Sequence, residues 1–238
     1  MARETEHTGF HPVIPTGDRY QVLDLSHGYD PSKISLDPPA IGRYHERRGN
    51  MYTSAIFQGK RNIHMGLDFW VPSGTPVYAF SDGELLFFRN NDRYGDYGPT
   101  LVTSHSGVHI RKILQQIAVN DPGAASSGGS GLSGGNHSVL SNPEQENPKQ
   151  EKKLYALYGH LSVDSLQGLE SGMKVRKGQI LGTVGDFHEN GGWAPHLHLQ
   201  LSIENPGKAD MPGVVAESEL PDAIRRYPDP QWITGRFY

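Results

Sequence analysis

Gly191 to Leu201 reads GGWAPHLHLQL, a stretch in which polar and apolar side chains alternate. Because successive side chains of a strand point to opposite faces, His196, His198 and Gln200 share one face and the intervening leucines share the other. The leucine face is suited to packing, and two neighbouring imidazoles suit the binding of a metal ion or the transfer of a proton. The stretch therefore predicts a strand that lines a groove above a leucine floor.

The composition bounds what a chain of 238 residues can be. Its length allows one sizeable domain or two small ones, of which we expect the first, and its 29 glycines and 17 prolines favour short strands, turns and long loops over a helix bundle. The net charge of -4 gives no basic footprint, so neither nucleic acid nor an anionic membrane surface is an expected partner. Because the chain has no cysteine, any zinc must be bound by histidine and carboxylate side chains.

Targeting patterns are the next constraint. The first residues lack the apolar run of a signal peptide, and no stretch approaches the roughly 20 apolar residues of a membrane span. The sequence as given therefore predicts a cytoplasmic protein without a membrane span. An extracytoplasmic location would be plausible if the true N-terminus lay upstream of Met1.

The pattern divides the chain into a central β domain and less regular flanks. Residues 1–40 carry scattered Pro, Gly, Asp and Ser and predict an irregular N-terminal extension, whereas residues 41–205 carry the strand-like segments. Residues 120–153 are rich in Gly, Ser and Pro, and their low hydrophobicity predicts a disordered insertion in the domain. Residues 206–238 predict a C-terminal extension packed on the domain, with one short helix near Pro221 to Arg226.

Short apolar runs between turn residues predict a mainly β, antiparallel fold. From Ile63 to Phe88 the chain reads IHMGLDFWVPSGTPVYAFSDGELLFF, which is typical of consecutive strands joined by Gly-containing turns. The preceding charged segment is interpreted as a surface lead into the core, with a short strand at Met51 to Gln58. Val108 to Val119 fits either a strand or a short helix.

Two segments echo one another. Ser73 to Leu85 reads SGTPVYAFSDGEL, and Ser171 to Gly185 reads SGMKVRKGQILGTVG. Each begins with Gly-x-x-Val and runs through a turn into another short strand, which indicates a duplicated β-hairpin unit.

Three polar groups could supply chemistry, and each alone is ambiguous. His64 and Asp68 would share a face on a straight strand but lie ~13 Å apart, too far for one metal ion, so a bend at Gly66 is required. His160 in YGHL fits a backbone-bonded imidazole as well as a catalytic one. The pair in PHLH, ~6.6 Å apart, could bind one ion together, or one could bind while the other works beside it.

Together, five motifs resemble the pattern of the lysostaphin-like zinc metallopeptidases: HMGLD, GTPVYAFSDG, YGHL, GMKVRKGQILG and PHLH. They span roughly Asn62 to Ile203, apart from the insertion. The resemblance implies antiparallel β-sheets of duplicated hairpin units that form a groove, in a barrel-sandwich-like fold with long loops and few short helices. It also implies an endopeptidase, with peptidoglycan-type peptides as the substrate class and an extracytoplasmic location if the chain is exported.

The resemblance assigns roles by position. It implies that His64, Asp68 and His198 bind one zinc ion per chain and that His160 and His196 are the catalytic pair. Two imidazole nitrogens and a carboxylate oxygen suit zinc and leave a position for water, whose pKa can fall towards ~7. Which histidine of the pair is the general base stays open.

The residues before PHLH depart from the family pattern. Many relatives have a small Ser/Thr/Gly-rich turn there, whereas this chain has HENGGWA, which predicts substrate binding by Asn190 and Trp193. Trp193 fits a packing role equally well.

Two other classes of function, and another substrate, compete with the peptidoglycan endopeptidase. A catalytically silent zinc-binding module would recognise a peptide or glycan, but the presence of both His160 and His196 favours the enzyme. A phosphotransferase-type carrier would itself be phosphorylated on His196 or His198, and the carboxylate of Asp68 beside that histidine would repel the phosphate. A hydrolase that acts on a cytoplasmic peptide or amide is the third alternative.

Overall fold

A computed structural model describes residues 9–17, 19–119 and 152–238. The predicted insertion at 120–153 therefore lies almost wholly outside the described residues. The described chain is mainly β, with short helices between and after the strands. The strands are β1 (Gln21–Val22), β2 (Ala40–Gly42), β3 (Ile63–His64), β4 (Leu67–Trp70), β5 (Pro76–Tyr78), β6 (Gly83–Asn91), β7 (Gly98–His105), β8 (Leu154–Gly159), β9 (Lys174–Val175), β10 (Ile180–Thr183), β11 (His196–Ser202) and β12 (Val214–Val215). The α-helices are α1 (Val108–Val119), α2 (Leu220–Arg226) and α3 (Gln231–Thr234), and single 3-10 turns occur at Pro31–Lys33, Ala55–Phe57, Val163–Leu166 and Glu217–Glu219.

One large sheet organises the molecule. Its eight strands lie in the order β1-β2-β4-β11-β8-β7-β6-β9, and every neighbouring pair is antiparallel except β1 and β2. Two small sheets pair β5 with β10 and β3 with β12. The predicted mainly β, antiparallel class is confirmed, and the described strands form no closed barrel.

The two echoing segments pair with one another. The first segment contributes β5 and the start of β6, and the second contributes β9 and β10. β5 pairs with β10, and β6 pairs with β9, so each half of one segment pairs with the opposite half of the other. This reciprocal exchange is the arrangement expected of a duplicated hairpin unit.

The leucine floor forms as the alternation predicts. Leu197, Leu199 and Leu201 are completely buried and pack in the main core with Leu67 and Phe69 of β4. Each buried leucine contributes about 2 kcal/mol of hydrophobic stabilisation. Packing in the core thus fixes the apolar face of β11, so the polar face with His196 and His198 points to the opposite side of the sheet.

The structure decides two local predictions of secondary structure. The strand predicted at Met51 to Gln58 is wrong: this segment contains a 3-10 turn, which ends where Gln58 adopts a left-handed backbone at φ 54°. Val108 to Val119 is a helix, because Ile110 and Ile113 enter the core with Leu114 and Ile117 beside them, a spacing that makes one apolar stripe.

The flanking segments contribute to the folded body. Phe10, Val13 and Ile14 are buried in the main core, and α2 covers the region where a short helix is expected. The domain boundaries themselves stay a prediction. Within the described ranges, none of the helices combines the length and apolarity that crossing a bilayer requires.

Candidate metal centre and active site

β4 and β11 run side by side at the centre of the large sheet and bring two polar residues together. Asp68 lies directly opposite His198, and Trp70 lies opposite His196. Side chains of directly paired residues project from the same face, so the carboxylate and the imidazole meet above the sheet. The leucines of β11 project from the other face.

His64 reaches the same point from a different sheet. β3, which carries it, pairs with β12, and the chain then passes through Met65 and Gly66 before entering β4. The bend expected at Gly66 is therefore present. A Cβ at this position would lie 2.5 Å from Cε1 of His198, so only glycine leaves room for that ring.

The ligand atoms of the three residues form a small triangle. His64 Nε2 lies 3.1 Å from His198 Nδ1 and 3.2 Å from Asp68 Oδ1, and His198 Nδ1 lies 3.0 Å from the same Oδ1. Ligands at ~2.0 Å from a tetrahedral zinc ion stand about 3.3 Å apart. The triangle therefore has the size of one face of a zinc coordination sphere.

In His64 and His198, the ring nitrogen that faces away from the triangle makes a hydrogen bond, and this bond indicates which nitrogen carries the lone pair. The Nδ1–H of His64 donates to the carbonyl oxygen of Arg43 at 2.8 Å, and the Nε2–H of His198 donates to Oε1 of Gln200 at 3.2 Å. The other nitrogen of each neutral ring then points a lone pair at Asp68. Three electron pairs with no proton between them fit a cation, and this donor set suits zinc.

Burial keeps the ligand set in the state that a metal requires. Burial, and next the positive charge of Arg48, lower the pKa of His64 to about 4. Burial alone would raise the pKa of Asp68, but the positive charge of Arg48 beside its Oδ2 outweighs that effect and holds the pKa well below its usual range. Near neutral pH His64 is therefore uncharged and Asp68 is ionised.

His160 and His196 lie together beside the triangle. Their ring centroids are 4.2 Å apart, and His196 Nε2 lies 3.9 Å from Asp68 Oδ1. His160 donates its Nδ1–H to the carbonyl oxygen of Asn190 at 2.8 Å, and His196 donates its own to that of Ala194 at 2.7 Å. Each ring therefore carries its lone pair on Nε2.

Burial also determines the charge of this pair. Burial, and next its neighbour His196, hold the pKa of His160 well below its usual range, and burial lowers the pKa of His196. Both rings are thus uncharged at neutral pH and can act as bases. The structure assigns the same tautomer to both and does not distinguish their roles.

His160 adopts a left-handed backbone conformation, with φ at 63°. Such a conformation costs a non-glycine residue of order 1 kcal/mol and persists only where the surroundings impose it. Here the backbone N–H of His160 donates to Tyr97, and its carbonyl accepts from Gly185. These contacts turn the chain at the end of β8 and place the imidazole beside β11.

The two residues predicted to bind substrate occupy different environments. Trp193 is half-buried in the groove wall, with its ring 6.1 Å from Tyr52 and 6.4 Å from His160. Asn190 is completely buried, and its side-chain amide donates to the carbonyl of Trp193 and accepts from the N–H of Trp193, at 2.9 Å each. Substrate binding by both residues stays a prediction. The amide of Asn190 is already engaged in holding the loop.

All five metal and catalytic candidates line one cavity of about 500 Å³. Its walls come from the segment after β2, from the loop between β6 and β7, and from the loop between β11 and β12. Charged side chains at its rim are paired, as in Lys208 with Asp210 and Arg226 with Glu204. The charges around the triangle are therefore balanced in these pairs.

Sequence reasoning missed Arg48, which supports the triangle from behind. This side chain is completely buried, and its Nη1 donates to Asp68 Oδ2 at 2.6 Å. It belongs to a charged segment that is interpreted above as a surface lead. No spacing in that segment distinguishes a buried arginine from an exposed one.

Fold and site together define a mainly β protein with three convergent metal-type ligands and two uncharged histidines in one groove. No family model matches the chain. Among solved structures it is similar to a zinc-containing peptidase from Vibrio cholerae, with 22% identity and a TM-score of 0.36. It is also similar to the catalytic domain of the prophage-encoded M23 protein EnpA from Enterococcus faecalis, with 21% identity and a TM-score of 0.38. A third similar structure is the catalytic domain of lysostaphin from Staphylococcus simulans, with 18% identity and a TM-score of 0.39.

The extent of these matches differs. They cover 65%, 78% and 79% of this chain, respectively, and 30%, 90% and 95% of the other chains. This chain thus spans less than a third of the Vibrio cholerae peptidase. Lysostaphin itself is the namesake of the class that the five sequence motifs resemble. Such identities and TM-scores describe a distant likeness, so function has to be inferred from the site itself.

Proposed function

We propose that the protein is a zinc-dependent endopeptidase that hydrolyses peptide or other amide bonds. One observation carries the proposal: three lone pairs converge within 3.2 Å of one another, and two uncharged histidines stand beside them. Such a set offers both a metal site and proton acceptors in the same groove. His64, Asp68 and His198 would hold one zinc ion per chain.

Zinc and the two neighbouring histidines would have different roles in the reaction. When bound, zinc would supply Lewis acidity, lowering the pKa of water and polarising a carbonyl group. His160 and His196, through their free Nε2 atoms, would accept a proton from the attacking water and return it to the leaving amine. Their Nδ1–H bonds to backbone carbonyls hold both rings in orientation during that transfer.

Peptidoglycan-type peptides are the proposed substrate class. The resemblance of the five sequence motifs supports this choice. A groove of about 500 Å³ with paired charges at its rim has room for an extended peptide of low net charge. We propose no nucleic-acid partner. A wall substrate would require an extracytoplasmic location, whereas a cytoplasmic location would favour the hydrolase that acts on a cytoplasmic peptide or amide. Cell fractionation tests which location applies.

Metal analysis followed by hydrolysis tests the proposal. The purified protein is loaded with zinc and incubated with wall-derived peptides and with a general peptide library, and new amines are counted. We expect zinc-dependent release of amines that disappears on chelation and returns with zinc. Release from the library alone would favour the hydrolase that acts on other peptides or amides.

Two substitutions separate binding from chemistry. His160→Ala should keep the zinc and lose hydrolysis, because it removes a proton acceptor and no ligand, whereas His64→Ala should lose both. Zinc binding without turnover in the wild type would favour the silent binding module. Loss of zinc in His160→Ala to the same degree as in His64→Ala would overturn the division of roles.

A further inference from the structure

Arg48 holds the oxygen of Asp68 that the triangle does not use. Its Nη1 lies 2.6 Å from Asp68 Oδ2, while Oδ1 of the same carboxylate faces His64 and His198. We propose that Arg48 is a positioning residue that restricts Asp68 to binding the metal ion through Oδ1 alone. This inference rests on the proposed function, since it requires the metal site.

The two ends of the carboxylate have different partners. A carboxylate that bound a metal through both oxygens would have to turn Oδ2 towards the ion and weaken its 2.6 Å bond to Arg48. Weakening the shortest bond of a completely buried guanidinium is unfavourable for a charge out of water. The arginine therefore limits Asp68 to one ligand atom and keeps a coordination position free for water and substrate.

Arg48 is itself fixed from several sides. Its Nε donates to Glu46 Oε2 at 2.9 Å, and Oε1 of Glu46 accepts from the N–H of Leu25 at 3.0 Å. Its Nη1 also donates to the Tyr52 hydroxyl at 3.0 Å, and its Nη2 lies 3.4 Å from the carbonyl oxygen of Arg43. These partners hold the Arg48 side chain in one position, and its bond to Oδ2 therefore fixes the orientation of the Asp68 carboxylate.

The same guanidinium is connected to the catalytic pair by packing. Its Cζ lies 6.0 Å from the ring centroid of Trp70, and the Trp70 ring stacks on His196 at 5.1 Å with an interplanar angle of 20°. A Cβ at Gly42 would lie 2.7 Å from Nη2 of Arg48 and 2.5 Å from Trp70, so a glycine there permits the approach. Arg48 and His196 thus both pack against the indole ring of Trp70.

Lysine could not replace this arginine. The guanidinium presents several donors in a planar fork and satisfies Glu46, Asp68 and Tyr52 at once, whereas an ammonium group is a point charge on a flexible stem. We therefore expect Arg48→Lys to free the Asp68 carboxylate even though the positive charge is kept.

Cobalt(II) substitution tests the coordination mode directly, because a four-coordinate cobalt ion absorbs visible light much more strongly than one of higher coordination number. The wild type is compared with Arg48→Lys and with the double variant Arg48→Met, Glu46→Gln, which removes one charge of each sign and protects the fold. Arg47→Met is the matched control, since the adjacent Arg47 is exposed and pairs with Glu217.

We expect weaker visible absorption in both Arg48 variants, a loss of zinc affinity of about 10- to 100-fold, and wild-type behaviour in the control. An unchanged cobalt spectrum in a folded Arg48 variant overturns the proposal, whatever its affinity. If the variants do not fold, a crystal structure of the zinc-loaded wild type decides: contact of both Asp68 oxygens with zinc overturns the proposal. A wild type that binds neither metal overturns the proposed function as well, whereas an unmoved spectrum overturns only the role of Arg48.

Discussion

Gly66→Ala is the substitution whose effect on the candidate metal centre follows most directly from the geometry. A Cβ at residue 66 would lie 2.5 Å from Cε1 and 2.7 Å from Nε2 of His198, and 2.7 Å from the carbonyl oxygen of Leu199. Carbon atoms in ordinary contact stand about 3.5–4.0 Å apart. Either the imidazole or the backbone must therefore move by about 1 Å.

The imidazole has to move, and the backbone of residue 66 has to move as well, because the new Cβ would also lie too close to the Leu199 carbonyl oxygen. Leu199 lies in β11, which pairs with β4 on one side and β8 on the other, so its carbonyl has little freedom. Metal–ligand distances tolerate only about 0.2 Å, and a shift of about 1 Å removes His198 Nδ1 from the triangle. We expect zinc affinity to fall at least about 100-fold, or ~2.7 kcal/mol, and overpacking to cost about 1–3 kcal/mol of stability.

Zinc competition against a chelator measures the affinity, and urea unfolding of the metal-free protein measures the stability. Gly49→Ala is the matched control, because its nearest contact would be Ser26 at an ordinary 3.4 Å. Wild-type zinc affinity in a folded Gly66→Ala protein would refute the reasoning. It would mean that His198 either does not bind the ion or is not held where the structure places it.

Two further predictions concern residues outside the three candidate metal ligands. Burial lowers the pKa of His105 from 6.5 to about 4. Between these two pH values His105 is protonated in the unfolded chain but not in the folded chain, so the free energy of unfolding decreases as the pH falls from 6.5 towards 4. Between pH 7 and pH 5, the free energy of unfolding measured with urea should fall by about 2 kcal/mol more in the wild type than in His105→Gln. An equal fall in both proteins would contradict the lowered pKa of His105. Asn190→Ala removes the side-chain partner of the partly buried N–H and carbonyl of Trp193, which should cost about 1–3 kcal/mol in urea unfolding while the zinc content stays that of the wild type. Unchanged stability would show that the loop does not depend on this amide.

The features that the sequence predicts are those with a short-range pattern. The alternation in β11 determines which residues face the groove and which face the core, and the incompatible spacing of His64 and Asp68 requires a bend at Gly66. Both inferences need only the period of a strand and the reach of a side chain. The structure brings all five candidate metal and catalytic residues into one groove, and their roles stay a prediction.

The features that escape prediction depend on distant partners. Arg48 is separated by 20 residues from the carboxylate that it holds, and nothing in its neighbourhood of charged residues marks it as buried. The sequence assigns Asn190 to substrate because this residue lies near PHLH, yet its side chain bonds within its own loop. Val108 to Val119 fits either a strand or a helix by its sequence, and the core that its apolar stripe meets decides for the helix.

Zinc content tests the central claim most directly, because the claim is that His64, Asp68 and His198 form one metal site. The wild type and His198→Ala are saturated with zinc, dialysed against metal-free buffer and analysed for metal per chain. We predict one zinc ion in the wild type and none in His198→Ala, with both proteins folded. A wild type without zinc, or a His198→Ala variant that retains a full equivalent, would contradict the claim.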